Sequence, residues 1–331
     1  MLILNCEITI GEYKLDFVNE IAISRSVDEL TQGGTITLPK NVIYKKNNQI
    51  VENVVRGEDA IFKRGDAVEI KVGYKPKLTT VFNGYVSRIN ARFPLVFEVE
   101  DEMFKLKQLK VEKYNRDNVN LEDFLSDILP AEYADRFNAA DVNLGNVRAA
   151  KPTTIGQMLS FLKDNYGLSV YFDSDGVLQA GFAFPDLSNV VTTSAKVFEF
   201  GRNIIDDSGL EYQRAEDQLL RIKAVSIYPD NTRVEVNIGD DEGEQRSFYA
   251  YNVSQASLTT LATEQLSRLK YEGVRGSFLT FTEPVINVGD VIELKHKAFP
   301  DYNGFYLVRA INTNFGVNGG RQEIELEIRV E

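Results

Sequence analysis

The chain carries little of the side-chain chemistry that catalysis usually needs. It has 331 residues and one histidine, His296, so any histidine-dependent triad or metal cluster would have to use that residue. His296 follows Ile292 and Leu294 on the apolar parity of a predicted strand. This position favours a structural residue at a strand end over a general base or a metal ligand.

One acidic segment is similar to the beginning of a calcium-binding loop. It contains Asp173, Asp175 and Gly176, but an EF-hand also needs an oxygen ligand at the fifth position and a glycine at the sixth. Val177 and Leu178 occupy those positions. Because Asp-Gly between apolar strands is a strong hairpin signal, we predict a turn here and not a metal site.

Other polar segments also fail to define a catalytic site. Residues 240–244 could hold a cation, although their composition is more typical of a solvated turn. The glycine-rich residues 316–321 lie between two predicted strands with no following helix, which excludes a phosphate-binding loop. The 49 acidic residues could include a pair suited to glycoside cleavage, but no motif isolates one. We therefore predict no catalytic residue, no cofactor and no metal site.

The charge balance limits the partners of the protein. A net charge of −12 argues against gripping nucleic acid or an anionic membrane, so DNA is expected only as passing cargo. Membrane insertion is not expected, because no segment approaches the ~18 consecutive apolar residues of a membrane span. The single cysteine, Cys6, excludes an intrachain disulfide and fits a reducing cytoplasm. We expect Cys6 to be a small apolar residue of the first strand.

Hydrophobic periodicity divides the chain into β-rich ends and a mixed middle. Strands are predicted at residues 66–72, 80–89, 95–100, 219–228, 232–238, 245–251, 291–295, 304–315 and 321–330. One helix begins after Asn120 and stops at Pro130; a second begins near Thr153 or Thr154 and ends at Gly167. A third helix is predicted over residues 255–272, and residues 40–60 are predicted to form a long surface loop.

A short motif occurs once near each end of the chain. Gly65-Asp66 and Gly289-Asp290 each precede an alternating strand, and Asn83-Gly84 and Asn303-Gly304 each lie between aromatic residues further along. We interpret this as one strand–loop–strand unit used twice, with the eight residues as its structural turn positions. Such duplication lets a trimer present six near-equivalent surfaces.

The repeat sets the predicted fold, which is mainly β with an α+β insertion. We expect two similar β-barrel or split-barrel domains, at residues 1–110 and 206–331, with the third helix inserted in the second. A small α/β domain at residues 111–205 separates them.

At these residues the sequence resembles the baseplate hub proteins of contractile phage tails, including the late control protein D type, Mu-like hubs and the N-terminal part of VgrG proteins. The segments that carry the resemblance occur in the family's order. They are FKRGDAVEIKVGY (62–74), FNGYVSRI (82–89), EDEMFKLK (100–107), GFYLV (304–308) and FGVNGGRQ (315–322).

The resemblance implies a non-enzymatic homotrimeric ring with two domains per subunit similar to the tail tube. That ring would adapt the sixfold tail tube to the threefold central spike. Its partners would be the tail tube protein, the central spike protein and other baseplate proteins. It would lie in the virion tail baseplate, after assembly in the bacterial host cytoplasm. The sequence ends just after the last predicted strand, so a separate spike protein is expected.

A different reading of the chain stays open at this point. A tail-associated protein that binds carbohydrate or cleaves cell wall would need an acidic pair or an aromatic platform in one cleft. The sequence contains no tryptophan, which makes sugar stacking less favourable, although tyrosine and phenylalanine could serve. The choice between a phage and another contractile injection device also stays open.

Overall fold

The computed structural model describes residues 4–39, 44–46, 49–51, 61–74, 76–90, 94–182, 194–228 and 230–330. Within these residues the protein is mainly β, with a few helices, as the sequence predicts. A large sheet of 16 strands forms its framework, and several smaller sheets pack beside it.

The N-terminal part is built from strands. In chain order they are β1 (Leu4–Ile10), β2 (Tyr13–Leu15), β3 (Glu20–Ser26), β4 (Gly33–Leu38), β5 (Tyr44–Lys46), β6 (Gln49–Val51), β7 (Ala67–Tyr74), β8 (Lys77–Asn90) and β9 (Leu95–Glu100). Apolar side chains alternate along them, so that one face of each strand is buried; in β7 these are Val68, Ile70 and Val72.

The middle part alternates short strands and helices. It comprises α1 (Met103–Leu106), β10 (Lys110–Val111), β11 (Tyr114–Asn120), α2 (Leu121–Ile128), β12 (Phe137–Ala139), β13 (Asn143–Ala149), β14 (Thr153–Thr154), α3 (Ile155–Tyr166), β15 (Leu168–Phe172) and β16 (Leu178–Phe182). Its apolar side chains form a core around α2 and α3, which Val225 and Ile227 of the C-terminal part join.

The C-terminal part returns to strands with one helix. Its elements are β17 (Lys196–Glu199), β18 (Ile204–Asp206), β19 (Leu210–Gln213), β20 (Leu220–Ile227), β21 (Arg233–Gly239), β22 (Glu244–Tyr251), α4 (Gln255–Leu269), β23 (Gly273–Phe281), β24 (Val291–Lys295), β25 (Gly304–Gly316) and β26 (Gly319–Arg329). Strands β20, β21 and β22 form a separate sheet covered by α4.

The two ends of the chain share one continuous sheet. Its order is β18-β23-β26-β25-β3-β4-β9-β8-β7-β1-β2-β5-β6, with β19 also beside β23, β24 beside β25, and β17 beside β24. The same order of strands recurs in both halves. In the first half it is β3-β4-β9-β8-β7; in the second it is β18 or β19, followed by β23-β26-β25-β24. The halves differ at the next strand, because β1 is antiparallel to β7 whereas β17 is parallel to β24.

The helix caps predicted from the sequence are confirmed. The Asn120 side chain accepts a hydrogen bond from the backbone of Asp123, and the helix ends before Pro130. Thr154 and Gln157 form a reciprocal capping box at the start of α3, and Gly167 ends that helix with a φ of 64°. Each cap satisfies backbone groups that the helix itself leaves open.

The partly buried carboxylate of Glu102 fastens the middle part to the first half of the sheet. Glu102 accepts hydrogen bonds from the hydroxyls of Tyr85 on β8, at 3.0 Å, and Tyr133 in the middle part, at 2.8 Å. Burial disfavours the charged form of Glu102, but hydrogen bonds from Tyr133, Lys105 and Tyr85 outweigh it and hold the pKa of this carboxyl below its ordinary value.

Two sequence expectations need correction. Tyr44–Lys46 and Gln49–Val51 are short paired strands within the predicted loop, and the rest of residues 40–60 lies outside the described residues. The third helix ends at Leu269, earlier than predicted. The predicted domain bounds stay a prediction: β17 and β18 pair with β24 and β23, and the predicted boundary at residue 205 falls within β18.

Two smaller points concern Cys6 and the membrane. Cys6 is buried in β1, and burial raises the pKa of its thiol to about 11, which keeps it protonated and unreactive. None of the helices in the described part of the chain combines the length and the apolar character that crossing a bilayer requires.

Candidate functional site

The two Gly-Asp turns make the same backbone hydrogen bonds. The Gly65 N–H donates to the Val86 carbonyl at 2.8 Å, and the Val86 N–H donates to the Asp66 carbonyl at 2.9 Å. In the other copy the Gly289 N–H donates to Val308 at 2.9 Å, and Val308 donates to Asp290 at 2.9 Å. Both turns therefore join the incoming strand to the same point of the returning strand.

The residue types of the turns follow from this geometry. Gly65 has a φ of 93° and Gly289 a φ of 82°, a region that side chains other than glycine rarely adopt. The Asp66 carboxylate accepts from the Lys63 N–H at 2.7 Å, and the Asp290 carboxylate accepts from the Asn287 N–H at 2.9 Å. Each aspartate thus closes its own turn.

The likeness continues through a bulge in the returning strand. After the turn, β8 pairs with β9 and β25 pairs with β26, and each long strand carries one extra residue at the equivalent point: Ser87 in β8 and Arg309 in β25. The pairs that flank the two bulges correspond. They are Val86 with Val99 and Arg88 with Glu98 in the first copy, and Val308 with Leu326 and Ala310 with Glu325 in the second.

The two Asn-Gly pairs do not share this register. Gly84 faces Val68 in β7, whereas Gly304 faces Leu294 in β24, two residues further from the turn. The residue of β25 that corresponds to Gly84 is Tyr306, which faces Ile292. The sequence alignment of the Asn-Gly pairs is therefore shifted by two residues.

Local surroundings give these pairs different roles. At Gly84 a Cβ atom would lie 2.2 Å from the Glu100 carbonyl, so β9 can approach β8 closely only because the side chain is absent. Asn83 lies in β8 opposite Glu69. Asn303 instead accepts a hydrogen bond from the His296 N–H at 2.6 Å and so closes the β24–β25 connection before Gly304.

A seam between β25 and β3 joins the two halves. Seven residue pairs form an antiparallel ladder, from Ala310 opposite Ser26 to Gly316 opposite Glu20. The Val27 N–H extends the ladder by donating to the Arg309 carbonyl at 3.0 Å. Strands more than 280 residues apart in sequence are thereby held side by side.

Charged side chains reinforce the seam on one face. The Arg309 guanidinium lies 2.6 Å from the Asp28 carboxylate, which belongs to the first half. Two carboxylates of β26 also contact it, Glu327 at 3.2 Å and Glu325 at 3.5 Å. Lys163 from α3 donates to the Asp28 carbonyl, so the middle part contacts the same point.

On the seam, Arg25 connects β3 to the segment that precedes the second turn. Its side chain is buried and donates to the Asn287 side chain at 3.0 Å and to the Ile286 carbonyl at 2.9 Å. Burial lowers the pKa of Arg25 to about 10, while the nearby Asp290 carboxylate favours the charged form. A cavity of about 780 Å³ lies beside this contact, and Arg25, Asp101 and Asp290 are among its lining residues.

His296 lies in a cluster of aromatic rings at the end of β24. Its Nδ1 accepts hydrogen bonds from the Ala298 and Phe299 N–H groups, each at 3.1 Å, which fits a structural residue. The ring centroids of Phe200 and Phe299 lie 4.7 and 4.8 Å from that of His296. Tyr302 also contacts this cluster, and Phe299 is 59% exposed.

The other sequence candidates occupy ordinary turns. Asp173 accepts hydrogen bonds from the Asp175 and Val177 N–H groups and closes the β15–β16 hairpin. Asp240 accepts from the Leu220 N–H and pairs with Lys270 at 2.6 Å. Over the residues that the structure describes, no group of three or more histidine, cysteine or acidic side chains is arranged to hold a metal ion.

Comparison with known proteins finds similar folds in tail proteins. No family model matches the chain, and no curated protein matches it. Among solved structures, a tail protein from Neisseria meningitidis MC58 matches with a TM-score of 0.62 and 13% identity, over 98% of this chain and 96% of that one. The 43 kDa tail protein of prophage MuSo2 from Shewanella oneidensis matches with a TM-score of 0.60 and 13% identity, over 98% of each chain.

A secretion-system component has a similar fold. The E. coli c3393 protein matches with a TM-score of 0.58 and 11% identity, over 97% of this chain and 76% of that one. It is described as a type VI secretion component with structural similarity to the T4 tail proteins gp27 and gp5. The resemblance read from the sequence is thus confirmed at the level of fold.

The turn aspartates provide a test of the repeated unit. Asp66→Ala and Asp290→Ala should each lower the free energy of unfolding by about 1 kcal/mol, because each removes the acceptor of a backbone N–H. Asp66→Asn and Asp290→Asn keep an acceptor oxygen and should lose less. Urea unfolding of the four variants measures this; equal losses for alanine and asparagine at both positions would contradict the assigned role.

The seam carboxylate Glu327 predicts a dependence of stability on pH. Burial raises its pKa from 4.5 to about 7, in spite of Arg309. The folded state therefore retains a proton that the unfolded chain releases, so this contribution to stability is full below about pH 4.5 and is lost as the pH rises through 7. Glu327→Gln should stabilise the protein by about 1–3 kcal/mol at pH 8 and change little at pH 4.

Unfolding by urea at the two pH values checks this expectation. Glu323→Gln, at an exposed position on the same strand, is the matched control and should behave like the native protein. If Glu327→Gln instead destabilises the protein by the same amount at pH 8 and at pH 4, burial does not hold a proton on Glu327.

Proposed function

We propose that the protein is the structural hub of a contractile tail baseplate, a homotrimeric ring that adapts a sixfold tail tube to a threefold central spike. The observation that carries the proposal is the repeated turn-and-bulge unit, with its two copies joined edge to edge through the β25–β3 seam. Fold similarity to tail proteins supports the same assignment.

The repeat explains how one chain can serve two symmetries. Three chains supply six copies of the sheet unit, which suits a partner built from six identical subunits. The middle part and the β20–β22 sheet with α4 occur once per chain within the described residues. Three copies of these parts suit a threefold partner.

The proposed partners are the tail tube protein, the central spike protein and other baseplate proteins, with the virion tail baseplate as the location. The net charge of −12 supports a ring that DNA passes without binding, since duplex phosphates repel an acidic surface. The role is structural and not enzymatic. The hydrogen-bonded turns formed by the acidic candidates support this assignment.

Mass photometry of the purified chain tests the proposed ring. We expect a species with three times the mass of the single chain, whose share grows with concentration and with added tail tube or spike protein. A chain that stays monomeric across the accessible concentrations and with both partners would contradict the proposal.

The aromatic cluster around His296 favours a second candidate function, carbohydrate binding at the tail tip. An exposed ring such as Phe299 can stack on a sugar. A peptidoglycan binding and degradation assay distinguishes the candidates: the hub should give neither binding nor cleavage. Binding that Phe299→Ala abolishes would favour the second function.

A further inference from the structure

The seam shows what the repeated unit does with its free strand edge. Beyond the bulge at Arg309, one edge of β25 pairs with β26 and the other pairs with β3. The strand beside β25 therefore comes from the other repeat. If the unit is used twice, the equivalent edge of the first copy has room for an equivalent strand.

That equivalent edge lies on β8, beyond Val86. Arg88 and Ile89 pair with β9 on one side, and no strand among the described residues pairs with them on the other. The Ser87 carbonyl corresponds to that of Arg309, but it accepts from the Arg64 side chain at 3.0 Å and not from a backbone N–H. An edge of this kind is a template for strand addition.

The equivalent of β3 in the second copy is the pair of short strands β18 and β19. Both lie against β23, as β3 lies against β4, and in the described part of the chain no strand covers their outer edge. Apolar side chains stay unusually open around them: Val197 and Ile205 are each 40% exposed. Among the described residues, the second copy thus carries a strand edge that no other strand pairs with.

Exposed charges of both signs lie at the two edges. Basic residues near the β8 edge are Lys63, Arg64 and Arg88, and Arg88 is paired with Glu98 of β9 at 3.4 Å. Acidic residues along β18 and β19 are Asp206, Asp207 and Glu211, and the exposed Arg202 and Arg214 flank them. The equivalence with the β25–β3 seam, and not net charge, therefore selects the partner of each edge.

We propose that β19 of one chain pairs antiparallel with β8 of a second copy, in a head-to-tail contact that repeats the intrachain seam. The inference rests on the proposed ring and names the surface that closes it. A contact between two different edges generates a ring when its rotation closes.

The seam also fixes the register of this contact. Ser24 faces Gly33 in the first copy, and Glu211 faces Arg275 in the second, so Ser24 and Glu211 occupy equivalent positions. The two residues that follow each of them then correspond as well: Arg25 with Tyr212, and Ser26 with Gln213. In the seam, Arg25 faces Ile311 and Ser26 faces Ala310. Counting from the equivalent bulges, Ala310 corresponds to Arg88 and Ile311 corresponds to Ile89. Between chains, Ile89 therefore faces Tyr212 and Arg88 faces Gln213.

Disulfide trapping tests both the orientation and the register. Because Cys6 is the only native cysteine and is buried, introduced cysteines report without interference. Arg88→Cys and Gln213→Cys, mixed as separate single variants under mild oxidation, should form a dimer that contains one of each chain. Either single variant alone should form no dimer, since the contact joins different edges.

The double variant carrying Arg88→Cys and Gln213→Cys should yield a covalent trimer on a non-reducing gel. The double variant carrying Arg88→Cys and Tyr212→Cys is the matched control, because adjacent positions of a strand point to opposite faces of the sheet. It should cross-link at least about tenfold less, since a disulfide needs Cβ atoms that face each other.

Two results would overturn the inference, and they separate it from the proposed function. If mass photometry shows a trimer but the matched pair links no faster than the control pair, the edge assignment is wrong and the ring can stand. If the chain is monomeric and neither pair links, both the edge assignment and the ring are wrong.

Discussion

The hydrogen-bonded ladder between β25 and β3 is the contact that makes one sheet out of two repeats. Side chains and the middle part also connect the halves, through the Arg309–Asp28 ion pair and the packing of Phe315 in the N-terminal core. Strand pairing satisfies every backbone donor and acceptor along the shared edge, which side-chain contacts cannot do. It also fixes register, because a shift of one residue would turn the buried face of β3 towards solvent. The rest of the architecture follows from this constraint.

Each half brings its own apolar core to the seam. One core lies among the N-terminal strands and another among β23 to β26, and Phe315 of β25 belongs to the N-terminal one. The Arg309 cluster adds specificity, since one guanidinium meets carboxylates from both halves. Partly buried ion pairs of this kind contribute more to alignment than to net stability. A seam that combines strand pairing with ion pairs across it is suited to being repeated between chains.

Local signals in the sequence predicted much of this fold. Asn120, Thr154 and Gly167 marked helix ends because capping is a property of a few adjacent residues, and alternation located most of the long strands. The Gly-Asp turns were recognisable because a positive φ followed by an N–H acceptor restricts residue choice. The Asn-Gly pairs gave an alignment of the two copies that is shifted by two residues. Gly84 is required by the close approach of β9, whereas Asn303 closes a connection of different length. The seam itself left no local signal, since its partners are far apart in sequence and lie on strands of ordinary composition.

Electron cryo-microscopy of the assembled protein tests the central claim most directly, namely that one building block occurs six times around a threefold ring. We expect a closed ring in which residues 63–100 and 287–329 of every chain overlay and alternate around the axis, with equivalent neighbours. An assembly in which these two stretches face unrelated surroundings, or one with twofold symmetry, would contradict the account.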